Sequence, residues 1–454
     1  MTQGSADKSE TRDMAVATSL SPASSAQFVK DNLPKQGLFA GHEWRVAPAP
    51  LSLGASLSKE LDGLGRVLLQ FYRAVNLLYR KSVEGKQPSW VSTWLDQGKP
   101  RELIELQRSP ALKNEVPRVI RPDLLLTEQG LSMTELDSVP GGIGLTGWLN
   151  RTYASIGFSV LGGQDGMLRG FESIFGDASR VNIVVSEEAA TYRPEMEWMA
   201  DQLGSSRFRV VGPGFSGAEP GEAVYRFFEL FDLLNVPTAA ALFARAAAGQ
   251  LRVTPPPKPL FEEKMLFALL WNQHLNSFWR QELGESFLKR MRSLSPYTWL
   301  VDPSPLPPHA ALPRLDITSW EQLEYLSHKE RDLILKVSGF SPHAWGARGV
   351  YLGSDLSQAG WSAAVRQAMR SFESSPYVLQ RYHKPGLVDA SYYDFDQKQV
   401  IAMKGRVRLC PYYFVSGEGD AARANLGGVL ATICPPDKKI IHGMTEAIFA
   451  PCST

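Results

Sequence analysis

Three carboxylates, Asp123, Glu135 and Asp137, stand in a stretch that reads as two strands joined by a tight turn. The strands run from Val119 to Leu126 and from Leu131 to Leu136, with Glu128-Gln129-Gly130 between them. Glu135 and Asp137 are two residues apart, so both side chains leave one face. Carboxylates gathered this way repel one another unless a cation or an ammonium group lies among them. Hard oxygen ligands suit Mg²⁺, which is held by one or two carboxylates together with substrate phosphates. The Gly-rich segment Pro140 to Gly144 lets backbone amides approach a ligand and opens a helix. The competing reading is a surface hairpin with solvated acids and an ordinary glycine turn.

A second set of residues suits an anion. Lys336 ends a short apolar strand, Asp332 to Val337, and small or turn-forming residues follow it as far as Val350. Ser338, Gly339, Gly346, Arg348 and Gly349 lie in that loop, whose amides could cradle phosphate oxygens beside the lysine's charge. The spacing is not a Walker A sequence, and no G-x-G-x-x-G follows the first strand. A lysine snorkelling at a strand end explains the same residues without a ligand. Gln380, Arg381 and Tyr382 end a further strand whose backbone could pair with an adenine edge, or which is simply a strand. Lys404, Arg406 and Arg408 alternate with apolar neighbours and share a strand face. That face is solvated, or it neutralises phosphate charge opposite the carboxylates. The histidines form no triad, and there is no G-x-S-x-G.

The elements that must position these residues follow from periodicity. Apolar residues from Leu57 to Tyr79 recur every three or four positions, predicting a core-packed helix. A helix is expected from Leu145 to about Ile156, and a βαβ unit across Ala178 to Ser216. Thr254-Pro-Pro-Pro-Lys-Pro259 marks the clearest boundary, and a long helix is expected from Leu260 to Leu283, with Lys264 in its first turns. The divisions are then a disordered tail, 1–26; a mainly helical segment, 27–115; the hairpin with its α/β unit, 116–255; and nucleotide-binding lobes, 256–454.

The chain of 454 residues is long enough for two or three domains of core. A net charge of +1 gives no electrostatic argument for nucleic acid or a membrane surface. No run approaches the roughly 18 apolar residues of a membrane span. Cys410, Cys434 and Cys452 form no close pair and have no histidine at ligand spacing, which fits a reducing cytoplasm better than a disulfide framework.

In their order along the chain these pieces resemble the circularly permuted ATP-grasp ligases, and most closely the synthetase domain of glutathionylspermidine synthase. Arg121-Pro-Asp123 and Glu135-Leu-Asp137 match that family's Arg-x-Asp and Glu-x-Asn, with Asp137 in place of the asparagine. Glu263-Lys264 and the run to Leu270-Trp271 look like its Asn-Lys segment ahead of Leu-Trp, which implies an ATP lysine at Lys264. Lys336 with its loop, the strand ending at Tyr382, and Arg406 or Arg408 fall where the family has a second lysine, a hinge strand and a late arginine. The resemblance covers Arg118 to Asn150 and Lys258 to about Cys434; it is loose in the middle and weak before Pro100.

The resemblance implies an α+β ATP-grasp fold of permuted order, preceded by a helical segment and a pre-ATP-grasp-like α/β unit. It implies an ATP- and Mg²⁺-dependent ligase joining a small-molecule or peptide carboxylate to an amine through an acyl phosphate. Mg²⁺ would lie on Asp123, Glu135 and Asp137, with Lys264, Lys336 and Arg121 offsetting phosphate charge. A non-catalytic nucleotide-binding scaffold and a phosphotransferase remain as alternatives. A scaffold gains nothing from repelling carboxylates, and a phosphotransferase needs a base that the sequence does not offer. The oligomeric state and the identity of both substrates stay open.

Overall fold

A computed structural model describes residues 20–34, 44–307, 310–344, 348–443 and 445–454. Helices α1 (Pro22–Asp31), α2 (Gly54–Val83), α3 (Ser89–Asp96) and α4 (Arg101–Gln107) come first, with short strands β1 (Arg45–Val46) and β2 (Leu51–Ser52). The hairpin follows as β3 (Val119–Thr127) and β4 (Gly130–Asp137), then α5 (Ile143–Ser155) and α6 (Gly166–Ser173). Next come β5 (Val181–Val185), α7 (Arg193–Leu203), β6 (Phe208–Val211), β7 (Ala223–Phe227), α8 (Ala239–Ala247) and β8 (Arg252–Thr254). Beyond them lie α9 (Leu266–Trp271), α10 (Asn276–Leu294), β9 (Thr298–Leu300), β10 (Leu333–Val337), β11 (Val350–Leu352), α11 (Gln358–Arg370) and β12 (Tyr377–Arg381). The chain closes with β13 (Leu387–Asp394), β14 (Gln399–Ser416), β15 (Arg423–Cys434) and β16 (Ile448–Ser453).

These strands build three sheets in an α+β arrangement. The largest has eight strands in the order β1-β16-β15-β14-β3-β4, with β13 added to β14 and β2 to β16. It draws on both ends of the chain, so sheet membership does not follow the divisions read from the sequence. The second is antiparallel, β11-β10-β12-β9. The third, β6-β5-β7-β8, is parallel, and the uninterrupted burial of β5 and β7 fits a sheet covered on both faces.

The periodic residues of α2 do what their spacing demands. Leu61, Leu64, Leu68, Tyr72, Val75 and Tyr79 are buried in one cluster with α9, α10 and a face of the large sheet. At about 25 cal/mol for each Å² of apolar surface removed from water, such a stripe fixes the helix in place.

Three expectations need correction. Residues 1–19 lie outside the described residues, but α1 begins at Pro22, inside the stretch read as a tail; Ser21 caps it by accepting from the Ser24 amide. The long helix across Leu260 to Leu283 is broken. A 3-10 turn, Pro259–Glu262, gives way to extended Glu263, and a second break at Asn272, whose side chain accepts from the His274 amide, separates α9 from α10. The proline segment 254–259, read as a boundary, is instead buried within the fold. Carbonyls of Pro255 and Pro256 accept from the buried Arg226 guanidinium, and Lys258 donates to Asn76 and the Glu115 carbonyl.

Candidate functional site

The hairpin places its acids by register. Arg121 pairs with Asp137 and Asp123 with Glu135 across β3 and β4, and a bulge follows at Asp123/Leu124. The bulge leaves Thr134 out of step, and its carbonyl accepts from Lys336 Nζ at 3.1 Å. β14 lies on the other side of β3, with Arg408 opposite Leu125. One face of the large sheet therefore carries Arg121, Asp123, Glu135, Asp137 and Arg408 toward β10 and β12 of the second sheet. Between them lies a cleft of about 430 Å³ lined by all five, with Lys264, Lys336 and Gln380. That volume falls in the range of small-molecule sites.

Each hairpin acid has a cation of the protein's own. Asp123 accepts from Arg408 at 2.9 Å and lies 3.3 Å from Arg121, with the Cys410 thiol at 3.4 Å. Burial alone would raise its pKa, but Arg121 and Arg408 outweigh that and hold it below the usual carboxylate value. Asp137 takes Arg121 at 2.8 Å and the Val139 amide at 2.8 Å. Glu135 pairs with Lys264 at 2.8 Å. Among the described residues no three Asp, Glu, His or Cys side chains converge on a metal position. The expected three-carboxylate set thus reduces to Glu135 and Asp137, because Asp123 is locked between two guanidiniums. A donor set of two carboxylates still fits Mg²⁺ that shares its shell with phosphate oxygens.

Lys336 is different. It is only 7 % exposed, and its ammonium is held by the Thr134 carbonyl and Gln380 Oε1, both at 3.1 Å, with no carboxylate partner among the described residues. Burial, reinforced by Lys264, lowers its pKa to about 8, with Glu135 and Asp123 opposing. For Lys264 burial again pulls downward, but the Glu135 pair more than offsets it and the pKa is raised.

The remaining sequence-predicted residues divide. Gln380 orients Lys336 and spends its amide on Thr298 Oγ1 at 3.0 Å. The amides of Arg381 and Tyr382 bond the carbonyls of Tyr297 and Asp332, so neither is open to an adenine edge. Ser338 is wholly buried: its hydroxyl donates to Glu263 and accepts from the Met265 amide, while its carbonyl accepts from the Lys264 amide. A Cβ on Gly339 would lie 2.5 Å from the Glu262 carbonyl, and one on Gly349 2.6 Å from that of His343. Ser338, Gly339 and Gly349 thus serve close packing under the loop, and none lines the cleft. Gly346 lies outside the described residues. Arg348 pairs with Glu188 of the loop after β5 at 2.8 Å. Arg406 faces the carbonyls of Pro436 and Pro385, and Lys404 pairs with Asp389; of the three basic residues only Arg408 reaches the site.

Glu195 was invisible in the sequence. It enters from α7 and lines the cleft with its carboxylate on the amides of Gly142, Gly144 and Leu145 at the start of α5. Burial raises its pKa to about 7 against those bonds. The Gly-rich segment therefore meets an internal carboxylate where a ligand was expected. Gly142, at φ 85°, makes the turn.

No family model matches the chain, and no curated protein matches it in sequence. In three dimensions it is similar to a glutathione synthetase-like effector from Globodera pallida, with a TM-score of 0.56 at 10% identity over 95% of both chains. The fold is ATP-grasp-like. A second structure, a protein proposed to be a gamma-glutamylcysteine synthetase from Methylobacillus flagellatus KT, has a TM-score of 0.39 at 13% identity over 89% of each chain. That likeness is too slight to carry an argument. No helix among the described residues is long and apolar enough to cross a membrane.

Proposed function

We propose that the protein is an ATP- and Mg²⁺-dependent ligase that joins a carboxylate to an amine through an acyl phosphate. The observation that carries this reading is Lys336, a buried ammonium without an acid partner among the described residues that opens on the same cleft as the hairpin acids. A buried cation held only by neutral groups favours an anionic ligand. The chain order, with the acids ahead of both lysines, supports a permuted ATP-grasp of the glutathionylspermidine synthase type.

In this reading Lys336 and Lys264 bind phosphate oxygens, and Gln380 keeps Lys336 aimed. Arg121 and Arg408 hold Asp123 and stand on the sheet face where the acceptor carboxylate approaches. Glu135 and Asp137 would hold Mg²⁺, which would supply positive charge against the phosphates. A carboxylate acceptor is ionised at neutral pH, so its attack on the terminal phosphate needs no base. The neutral amine then attacks the acyl carbon, the carbon–nitrogen bond forming as the carbon–oxygen bond to phosphate breaks and the nitrogen's proton leaving with the phosphate; positioning with electrostatics supplies most of the rate.

One observation favours the scaffold reading. Every hairpin acid is paired with a cation in the resting protein, which reduces the carboxylates' self-repulsion without metal, and that objection to a non-catalytic scaffold weakens. ADP release against a panel of acids, with hydroxylamine as the only nucleophile, separates the readings. A hydroxamate is expected with one acid class. ATP binding without turnover on any acid would establish the scaffold, and a stable phosphorylated alcohol the phosphotransferase.

A further inference from the structure

Positive charge gathers on the face of the second sheet that turns away from the cleft. Thr298 of β9 points toward Gln380 and the cleft, so its neighbours Tyr297 and Trp299 leave the opposite face. There Trp271, at the end of α9, stands in a row with Tyr297 and Trp299, the ring centroids 4.8 and 4.6 Å apart. Arg314 lies over Tyr297 at 4.5 Å and over Trp271 at 5.2 Å. Arg292, in the last turn of α10, lies over Trp271 at 5.5 Å. A bridge between Leu312 and Ile317 closes the loop that carries Arg314, and Arg314 itself sits at φ 65°. A non-glycine residue keeps that left-handed backbone only where its surroundings hold it. Arg381 supplies one such hold by donating to the Arg314 carbonyl at 2.5 Å.

Neither Arg292 nor Arg314 has an acid partner among the described residues. The Arg314 guanidinium makes ring contacts alone. Arg292 donates once, to the Leu270 carbonyl at 3.1 Å, and its Nε is buried without a hydrogen bond. Glu285 pairs with Arg280 at 3.0 Å instead, and Asp316 makes no ion pair among the described residues. Tyr297 is 9 % exposed, and its hydroxyl too has no hydrogen-bond partner among the described residues. Both guanidiniums act on that hydroxyl: burial raises the Tyr297 pKa, while Arg314 and Arg292 oppose the rise. Burial first, then the like charges of Arg280 and Arg314, lowers the pKa of Arg292, with Tyr297 and Glu285 opposing. Like charges beside an unsatisfied donor are costly, and an anion between them relieves both costs. None of Arg292, Tyr297 and Arg314 lines the cleft.

We propose that Arg292, Arg314 and the Tyr297 hydroxyl form a site for a phosphate group, free or as a monoester, apart from the cleft and independent of the ligase reading. Two guanidiniums match the charge of a phosphate dianion, whereas a carboxylate needs only one. Three donors from separate side chains suit the several oxygens of a tetrahedral phosphate better than the planar pair of a carboxylate. Tyr297 is fixed between two aromatic neighbours, so its hydroxyl is held in place before an anion arrives. Arg314 is exposed, which leaves the outer side of the site open to solvent and gives an ester's organic part somewhere to go.

The test is calorimetric titration with inorganic phosphate, methyl phosphate and acetate at constant ionic strength. It is run on the full chain carrying Lys336→Met, which removes the cleft's own phosphate lysine. One saturable phosphate site should remain, and acetate should bind it about tenfold more weakly. Adding Arg314→Gln should weaken phosphate about tenfold or more, and adding Tyr297→Phe, which keeps the ring, about threefold or more. Methyl phosphate that binds as well as phosphate assigns the site to an ester, and a tenfold preference for inorganic phosphate assigns it to the free ion; both support the site. Arg314 is exposed, so its variant should keep the parent's melting temperature; if it melts lower, Tyr297→Phe decides. No saturable phosphate binding in the Lys336→Met protein, affinity unchanged by Arg314→Gln or by Tyr297→Phe, or acetate equal to phosphate would each overturn the proposal.

Discussion

If Lys336 binds phosphate, nucleotide binding must take up a proton, and the pH at which it does so follows from the lysine's surroundings. Burial holds its pKa near 8 rather than 10.5. That gap corresponds to roughly 3 kcal/mol of stability forgone by keeping the ammonium charged in the empty cleft. The folded value lies below the unfolded one, so the cost is full below about pH 8 and is relieved as pH rises toward 10.5. A triphosphate at the ammonium reverses the preference and holds it protonated. In the free protein the lysine is then about nine-tenths charged near pH 7 and about one-tenth near pH 9. ATP affinity should fall about tenfold between those values, and binding near pH 9 should absorb about 0.9 proton. Titration calorimetry in buffers of different ionisation enthalpy measures the uptake directly. Lys336→Met should abolish both effects and weaken binding by about 1.5–3 kcal/mol, the range for a charged hydrogen bond. Glu195, with its pKa near 7, also lines the cleft, so the variant is the control that assigns the higher step to the lysine. Affinity flat from pH 7 to 9, or equal proton uptake in variant and wild type, would refute the reasoning.

Two further outcomes concern the scaffold under the site. Lys99 and Glu263 form an ion pair at 2.5 Å with side chains 0 % and 1 % exposed, and Glu263 also accepts from Ser338. Lys99→Met should cost about 3–5 kcal/mol in urea unfolding because it strands a buried carboxylate; a loss under about 1 kcal/mol would contradict this. A Cβ on Gly144 would lie 2.5 Å from the Glu195 carbonyl, whereas one on Gly214 meets nothing within 4 Å. Gly144→Ala should therefore lower stability by about 1–3 kcal/mol, and Gly214→Ala should leave the melting temperature nearly unchanged.

The hairpin, the βαβ unit and the strand ending in Lys336 were legible because each is local: period, turn residues and strand length identify them within a few positions. The break at Glu263 was not, since it depends on Lys99, more than a hundred and fifty residues earlier in the chain. Nor was the burial of 254–259, where prolines usually signal an exposed linker but here meet Arg226. Ser338, Gly339 and Gly349 have the composition of a phosphate loop, and composition cannot tell an amide facing a ligand from a glycine admitting a backbone. Arg406 and Arg408 share a strand face, but the face is long and only one end reaches the cleft. Glu195 sits in no motif; its place on the amides at the start of α5 comes from packing alone.

The charge arrangement has a consequence for how a ligase of this kind would be poised. Arg121, Arg408 and Lys264 are each paired with a hairpin acid, whereas Lys336 and Arg381, which also line the cleft, have no acid partner among the described residues. Two such positive charges do not balance a triphosphate. Further compensation must come from pairs that can divide, and they are not equally able to do so. Asp123 has three partners and is 6 % exposed, so opening it would strand two buried guanidiniums. Glu135 has one side-chain partner, and its side chain is 36 % exposed on the cleft. Lys264 keeps the Ala344 carbonyl at 3.0 Å if that pair opens. The Lys264–Glu135 pair therefore breaks fewer bonds than Asp123 would when it separates, and if phosphate arrives at Lys264 as it opens it frees a carboxylate for a cation at the same time. A scaffold that only stores charge balance has no need for its most exposed hairpin acid to line the cleft, and that placement favours the ligase.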